Sequence, residues 1–203
     1  LGLEKYLPQA GILSFGLFDK EISNYIVGAN TGTETLFGVP LRILTFANSG
    51  HAYVRGFEFN WEQKFTGLPG PLSGIGAGAN YTYADSRFDI RPGEHARLPS
   101  SSKNTWNAFL SYEQYGVTLR LAAYYVSADL FAIGGDRTSD IYNASRTFMD
   151  FGTSYAIDKE WSVYFNAKNL LNTAHTFYEG SPDRPIQREF YQPTYQLGVR
   201  FGF

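Results

Sequence analysis

Residues 191–203 read YQPTYQLGVRFGF, and their alternation decides how the rest of the chain is read. Tyr191, Pro193, Tyr195, Leu197, Val199, Phe201 and Phe203 hold the odd positions; Gln192, Thr194, Gln196, Gly198, Arg200 and Gly202 hold the even ones. A strand turns successive side chains to opposite faces, so this segment has one apolar face and one polar or empty face. Thirteen residues is long for a soluble strand. It is enough for a tilted strand to cross a bilayer, which takes about 9–11 residues. Apolar outside and wet inside is the pattern of a transmembrane β-barrel.

Seven more segments alternate in the same way, at about 12–27, 41–65, 74–84, 104–113, 117–127, 147–157 and 161–172. Period-two patterning rich in Tyr, Phe, Val and Thr predicts strands. The connections between them alternate in length. Short ones fall at 6–11, 66–73, 114–116 and 158–160; long ones at 28–40, 85–103, 128–146 and 173–189. Outer-membrane barrels have short periplasmic turns and long extracellular loops, and antiparallel order makes the two alternate. With the last residue on the periplasmic side, every long loop falls outside. The expected fold is therefore all-β, an antiparallel up-and-down barrel of the bacterial outer membrane.

Composition agrees. Aromatics make up 17% of 203 residues, Cys is absent and mean hydropathy is −0.26. No apolar run approaches the roughly 20 residues of a membrane helix, while a barrel tolerates low hydropathy because half of each strand faces the lumen. A net charge of −2 gives no basic footprint for nucleic acid. No charged-then-apolar signal segment opens the chain. An exported barrel needs one, so the chain is expected to lie inside a longer precursor.

Several segments resemble the C-terminal part of TonB-dependent outer-membrane receptors. They are GILSFGLFDKEISNYI (11–26), NSGHAYVRGFEFNWEQKF (48–65), NAKNLLN (166–172) and the terminal YQPTYQLGVRFGF. Asn48, Gly50, Ala52, Gly56 and Glu58 match a strand-opening run of that family, and Asn169, Leu170, Leu171 and Asn172 match its N-L-x-N. The resemblance implies the wall of a barrel of about 22 strands whose plug domain lies elsewhere. Eight strands taken from such a barrel would leave two unpaired edges, which a membrane does not tolerate, so the chain is expected to be a fragment. It also implies energised uptake of a scarce ligand, such as a ferric siderophore, cobalamin or an oligosaccharide. The implied partners are outer-membrane lipid, the protein's own plug, the TonB complex and the barrel-assembly machinery, which would read Phe203 as its signal. The competing reading is a self-contained eight-stranded barrel with a structural or adhesion role.

Candidate residues follow from this. Arg120, Tyr124, Tyr164, Asn166, Lys168, Gln196 and Arg200 sit on the expected wet face, where they would meet the plug or line the substrate route. In the long loops, Phe131, Asp136, Arg137, Tyr142, Arg146, Phe177, Tyr178, Arg184 and Arg188 combine aromatic faces with charged groups suited to a large polar ligand. They would equally serve to order a long loop. His51, His95 and His175 are scattered, which predicts no metal site. Asp85, Asp89 and His95 share a loop without forming a catalytic constellation, so no enzyme and no cofactor are expected. Gly74–Gly78 (GIGAG) lacks the lysine and helix of a phosphate loop, and its small residues suit close approach to the wall.

Overall fold

Alternating side chains need paired backbones, and the computed structural model shows how this chain pairs them. It describes residues 1–8, 10–48, 50–91 and 93–202, with side chains at all of these except 27, 29–31, 42, 44 and 47. Sixteen strands follow in chain order. The first eight are β1 Gly2–Leu7, β2 Gly11–Ser23, β3 Ile26–Leu36, β4 Val39–Asn48, β5 His51–Lys64, β6 Ile75–Arg91, β7 Glu94–Ala96 and β8 Asn104–Gln114. The rest are β9 Val117–Val126, β10 Asp129–Ala132, β11 Ile141–Asn143, β12 Arg146–Ala156, β13 Trp161–Lys168, β14 His175–Glu179, β15 Pro185–Glu189 and β16 Thr194–Phe201.

Nine of them form a wall in the order β1-β2-β5-β6-β8-β9-β12-β13-β16, with β7 added to the upper part of β6. Every neighbouring pair in the wall is antiparallel. Two edges stay open, since β1 pairs with β2 alone and β16 with β13 alone among the described residues. The wall is thus part of a barrel and not a closed one. A second sheet, β10-β11-β14-β15, is built entirely from two of the long connections, and β3 pairs with β4 as a separate arm.

The register sorts side chains by face. Phe15, Phe59, Tyr81, Trp106 and Tyr125 stand on one continuous rung across five strands. Leu121, Phe151, Ala167 and Tyr195 continue the same face across the last four. The alternate rungs carry Ser14, Asn60, Asn80, Asn107 and Tyr124. Little covers the apolar face: Leu197 is 79% exposed and Leu110 56%. The lower ends of the strands place Trp61, Tyr112, Tyr155 and Trp161 on that same apolar face. Trp106 and Tyr112 lie six residues apart on β8. At about 3.4 Å per residue this sets two aromatic levels about 20 Å apart along the strand, the arrangement of aromatic girdles that flank an apolar band.

The structure corrects several sequence boundaries. The segment read as 41–65 is two strands: β4 belongs to the arm and β5 to the wall. Asn24, at φ 57, ends β2 and donates its N–H to the Gly50 carbonyl, which closes the wall hairpin just below the arm. The segment at 161–172 stops at Lys168, because Asn169 and Asn172 both adopt positive φ (54 and 47). The terminal strand is Thr194–Phe201, eight residues and not thirteen, since Gln192 turns the chain at φ 58 ahead of Pro193. The third segment extends to Arg91, and a ninth wall strand, β1, adds to the expected eight. The long connections are largely strands themselves. Phe203 lies outside the described residues.

Candidate functional site

The polar face is assembled by register. Ser111, Arg120, Gly152, Asn166 and Gln196 form one rung across β8, β9, β12, β13 and β16. On the same face Lys168 stands opposite Thr194, Tyr164 opposite Gly198, Arg200 opposite Ser162 and Tyr124 opposite Phe148. The seven residues expected on the wet face therefore share one face of the wall, opposite the bare apolar one.

Glycines shape this face. A Cβ on Gly78 would lie 2.4 Å from the Phe109 ring, so Phe109 lies flat over the backbone of β6. The Arg120 guanidinium stacks on that ring at 3.7 Å. Likewise Tyr164 fills the space over Gly198, 2.5 Å from a built Cβ, and Arg200 stacks on Tyr164 at 4.7 Å. The small residues of 74–78 thus admit the wall's own aromatic ring, which sequence reading did not foresee. Arg120, Lys168 and Arg200 form no ion pair among the described residues. Asp150, on the same face, is engaged by the Asn169 N–H at 2.8 Å.

The long connections pack into a cap at one end of the wall. Ala52, Phe88, Leu98 and Leu130 are buried together, with Ile22, Val54 and Tyr142 against them. Beside this small core lies a cleft of about 650 Å³. Its lining includes Arg137, Tyr142 and Tyr178 from one side and Tyr53, His95 and Arg97 from the other. Tyr142 and Tyr178 stack at 5.3 Å, and burial raises both hydroxyls above the usual phenol value.

The other expected loop residues hold the cap together. Phe131 meets Phe177 edge-on at 5.0 Å, and Arg188 covers Phe190 at 5.3 Å. Arg184 binds Glu179 at 2.7 Å and donates to the Thr138 carbonyl. Arg146 reaches its neighbour's carbonyl at Ala144. Asp136 accepts the hydroxyl and N–H of Thr138 at 2.7 and 2.8 Å, hydrogen bonds that hold its carboxyl below the usual range.

Two residues went unnoticed in the sequence: Arg91 and Asp140, 49 positions apart, form a bidentate ion pair at 2.7–2.8 Å. Nothing in their spacing marks them. The histidines each have a nearby partner: His51 with Glu21, His95 with Asp89 at 2.6 Å, and His175 with Asn143 at 2.9 Å. Asp85 turns instead to Arg97 at 3.2 Å. No group of three or more metal-ligating side chains converges among the described residues.

An open antiparallel wall with one bare apolar face, one polar face and a capped end defines a piece of a receptor β-barrel. The chain belongs to the TonB-dependent receptor-like β-barrel family, whose model matches residues 1–170. Solved structures agree in fold. The ferric-catecholate import receptor Fiu from K12 E. coli superposes with a TM-score of 0.67 at 16% identity, over 100% of this chain and 27% of that one. The siderophore receptor PiuA from Acinetobacter baumannii gives 0.67 at 19%, over 98% and 27%. The ferric enterobactin receptor PfeA from Pseudomonas aeruginosa gives 0.62 at 13%, over 98% and 30%. The chain therefore spans little more than a quarter of these receptors' length. Among curated proteins none matches it in sequence.

Proposed function

We propose that this chain is the C-terminal part of the wall of an outer-membrane transporter that takes up a ferric siderophore by TonB-driven transport. The observation that carries the reading is the one-sided wall: an apolar face left bare between two aromatic levels, opposite a face bearing three cations without ion pairs among the described residues. In a bilayer the first face meets lipid, and the second meets water or a domain held in the lumen. Siderophore cargo is favoured over cobalamin or oligosaccharide because the similar solved structures are named as ferric-catecholate, siderophore and ferric-enterobactin receptors.

The wall contributes no bond chemistry in this reading. Arg120, Tyr124, Tyr164, Asn166, Lys168, Gln196 and Arg200 contact the plug or border the route, and the cleft at Arg137, Tyr142 and Tyr178 captures cargo from outside. Phe203 is the signal for the assembly machinery, so its deletion lowers membrane yield while leaving affinity in the assembled fraction unchanged. A self-contained eight-stranded barrel is disfavoured because β1 and β16 do not pair. The test is uptake of iron-labelled ferric enterobactin, and of other ferric siderophores, by cells carrying or lacking the full-length protein. Accumulation that needs both the protein and an energised TonB complex supports the reading. Equal accumulation in both strains for every siderophore, with iron-limited growth unchanged, overturns it.

A further inference from the structure

Asp140 is 2% exposed, although it lies in a connection between strands at the capped end. Its two carboxylate oxygens accept both terminal N–H groups of Arg91, at 2.8 and 2.7 Å, and one of them also accepts the Gly134 N–H at 2.9 Å. The Asp140 carbonyl accepts the Gly180 N–H at 2.8 Å. Arg91 in turn donates to the Gly134 carbonyl at 3.1 Å and through Nε to Glu94 at 2.9 Å. One residue thereby touches three connections: the end of β6 through Arg91 and β10–β11 through Gly134, both by its carboxylate, and β14–β15, already paired with β11, through its backbone carbonyl and Gly180.

The junction is close enough to require glycine. A Cβ on Gly134 would stand 2.3 Å from the Ser139 carbonyl oxygen, and one on Gly180 2.5 Å from that of Thr138. Gly180 also has φ +66, which a side chain would strain. By contrast, β3 and β4 pair only with each other, so the arm is outside this junction.

We propose that Arg91 and Asp140 are the positioning pair of the cleft, welding three connections into one rigid cap. A planar guanidinium fork on a carboxylate fixes angle as well as distance, which a single hydrogen bond does not. The weld holds His95 and Arg97 at a set separation from Arg137, Tyr142 and Tyr178 across the cleft. A cleft fixed before its ligand arrives spends less binding energy on ordering, and the gain falls mainly on the off-rate. That consequence rests on the cleft being the capture site; the weld itself does not.

Amide hydrogen exchange on the full-length receptor without ligand tests the weld. Asp140→Asn keeps the shape but removes the charge-assisted fork. Exchange is expected to rise together, about tenfold or more, in residues 94–96, 132–143 and 176–185, with β8, β9, β12 and β13 unchanged. Arg91→Lys, which keeps the charge and loses the fork, gives the same three-part pattern and stands in if the first variant does not assemble. In the double variant Arg91→Gln/Asp140→Asn the increase is smaller than the two single effects combined, because neither variant leaves the other's partner to lose. Loosening confined to 132–143, no loosening, or independent effects in the double variant would each overturn the proposal. The capture arm uses ferric enterobactin: Asp140→Asn should speed its release about tenfold with the association rate unchanged. Unchanged release from a variant that does loosen would sever the weld from ligand positioning and defeat the positioning role. If the unmodified receptor binds no ferric enterobactin, it is the cargo assignment that fails, and the exchange pattern still decides the weld.

Discussion

Leu197 stands directly opposite Phe165 across β16 and β13, while the next rung pairs Gln196 with Asn166. One residue's shift in sequence therefore separates two environments. Leu197→Arg should destabilise the folded protein in lipid vesicles by about 2–4 kcal/mol if it lies near the bilayer midplane. Gln196→Arg should be tolerated, because it adds a cation to a wet face. Denaturant titrations in vesicles measure both, and equal losses would refute the assignment of faces.

Gly56 and Gly16 make a second contrast on the polar face. A Cβ on Gly56 would lie 1.8 Å from the Tyr83 carbonyl oxygen, a backbone atom that cannot swing aside, while the nearest atom to one on Gly16 is 3.9 Å away. Gly56→Ala should cost roughly 1–3 kcal/mol through overpacking. Gly16→Ala should be neutral or stabilise by about 0.5 kcal/mol, since glycine weakens a strand interior. The same titrations decide this, and a cost at Gly16 matching that at Gly56 would show that backbone approach is not the reason for the glycine.

Acid should spare the cap until the carboxylates themselves protonate. Burial pushes the Asp140 carboxyl up, but the Arg91 fork and the Gly134 N–H outweigh it and hold the group below its usual value. The Asp136 charge opposes ionisation, and Glu94 shares Arg91. A depressed folded pKa means the stabilisation is complete above the unfolded value, about 3.9, and is lost as pH falls through the folded one. Exchange protection of the three connections, compared after correction for intrinsic rates, should stay flat from about pH 8 to 5 and fall only below about 4. Loss between about pH 7 and 5 would contradict this account.

The wall was legible because one apolar and one polar face impose period two on every wall strand, and residues such as Trp106 and Tyr125 keep to the apolar face throughout. β1 showed in the sequence only as a partial strand at residues 1–5, outside the eight counted segments, because Lys5 falls on the same face as Leu3 and blurs the alternation; its pairing with the strand of Ile12 is as expected. The ends of β2, β13 and β16 were overrun because Asn24, Asn169 and Gln192 break the strand through backbone conformation while the hydropathy pattern continues. In Asn169 the reason is visible only in three dimensions: its side chain accepts the Thr173 N–H and its own N–H reaches Asp150. The cap was illegible for a different reason. Its sheet joins strands from two connections, and its key pair, Arg91 and Asp140, meets through tertiary contact with no local spacing to announce it.

The central claim is that these nine strands are part of a larger wall, so their outer edges never meet. Cysteines at Leu3 and Leu197, on β1 and β16, can be introduced into the full-length protein and oxidised in the outer membrane. A control pair at Phe165 and Leu197, already opposite each other, should form a disulfide readily, since facing strand residues fall within the reach of a disulfide. The account predicts no bond between positions 3 and 197 under conditions that join the control pair. Efficient joining of 3 to 197 would mean that the wall closes on itself, and would contradict the transporter reading.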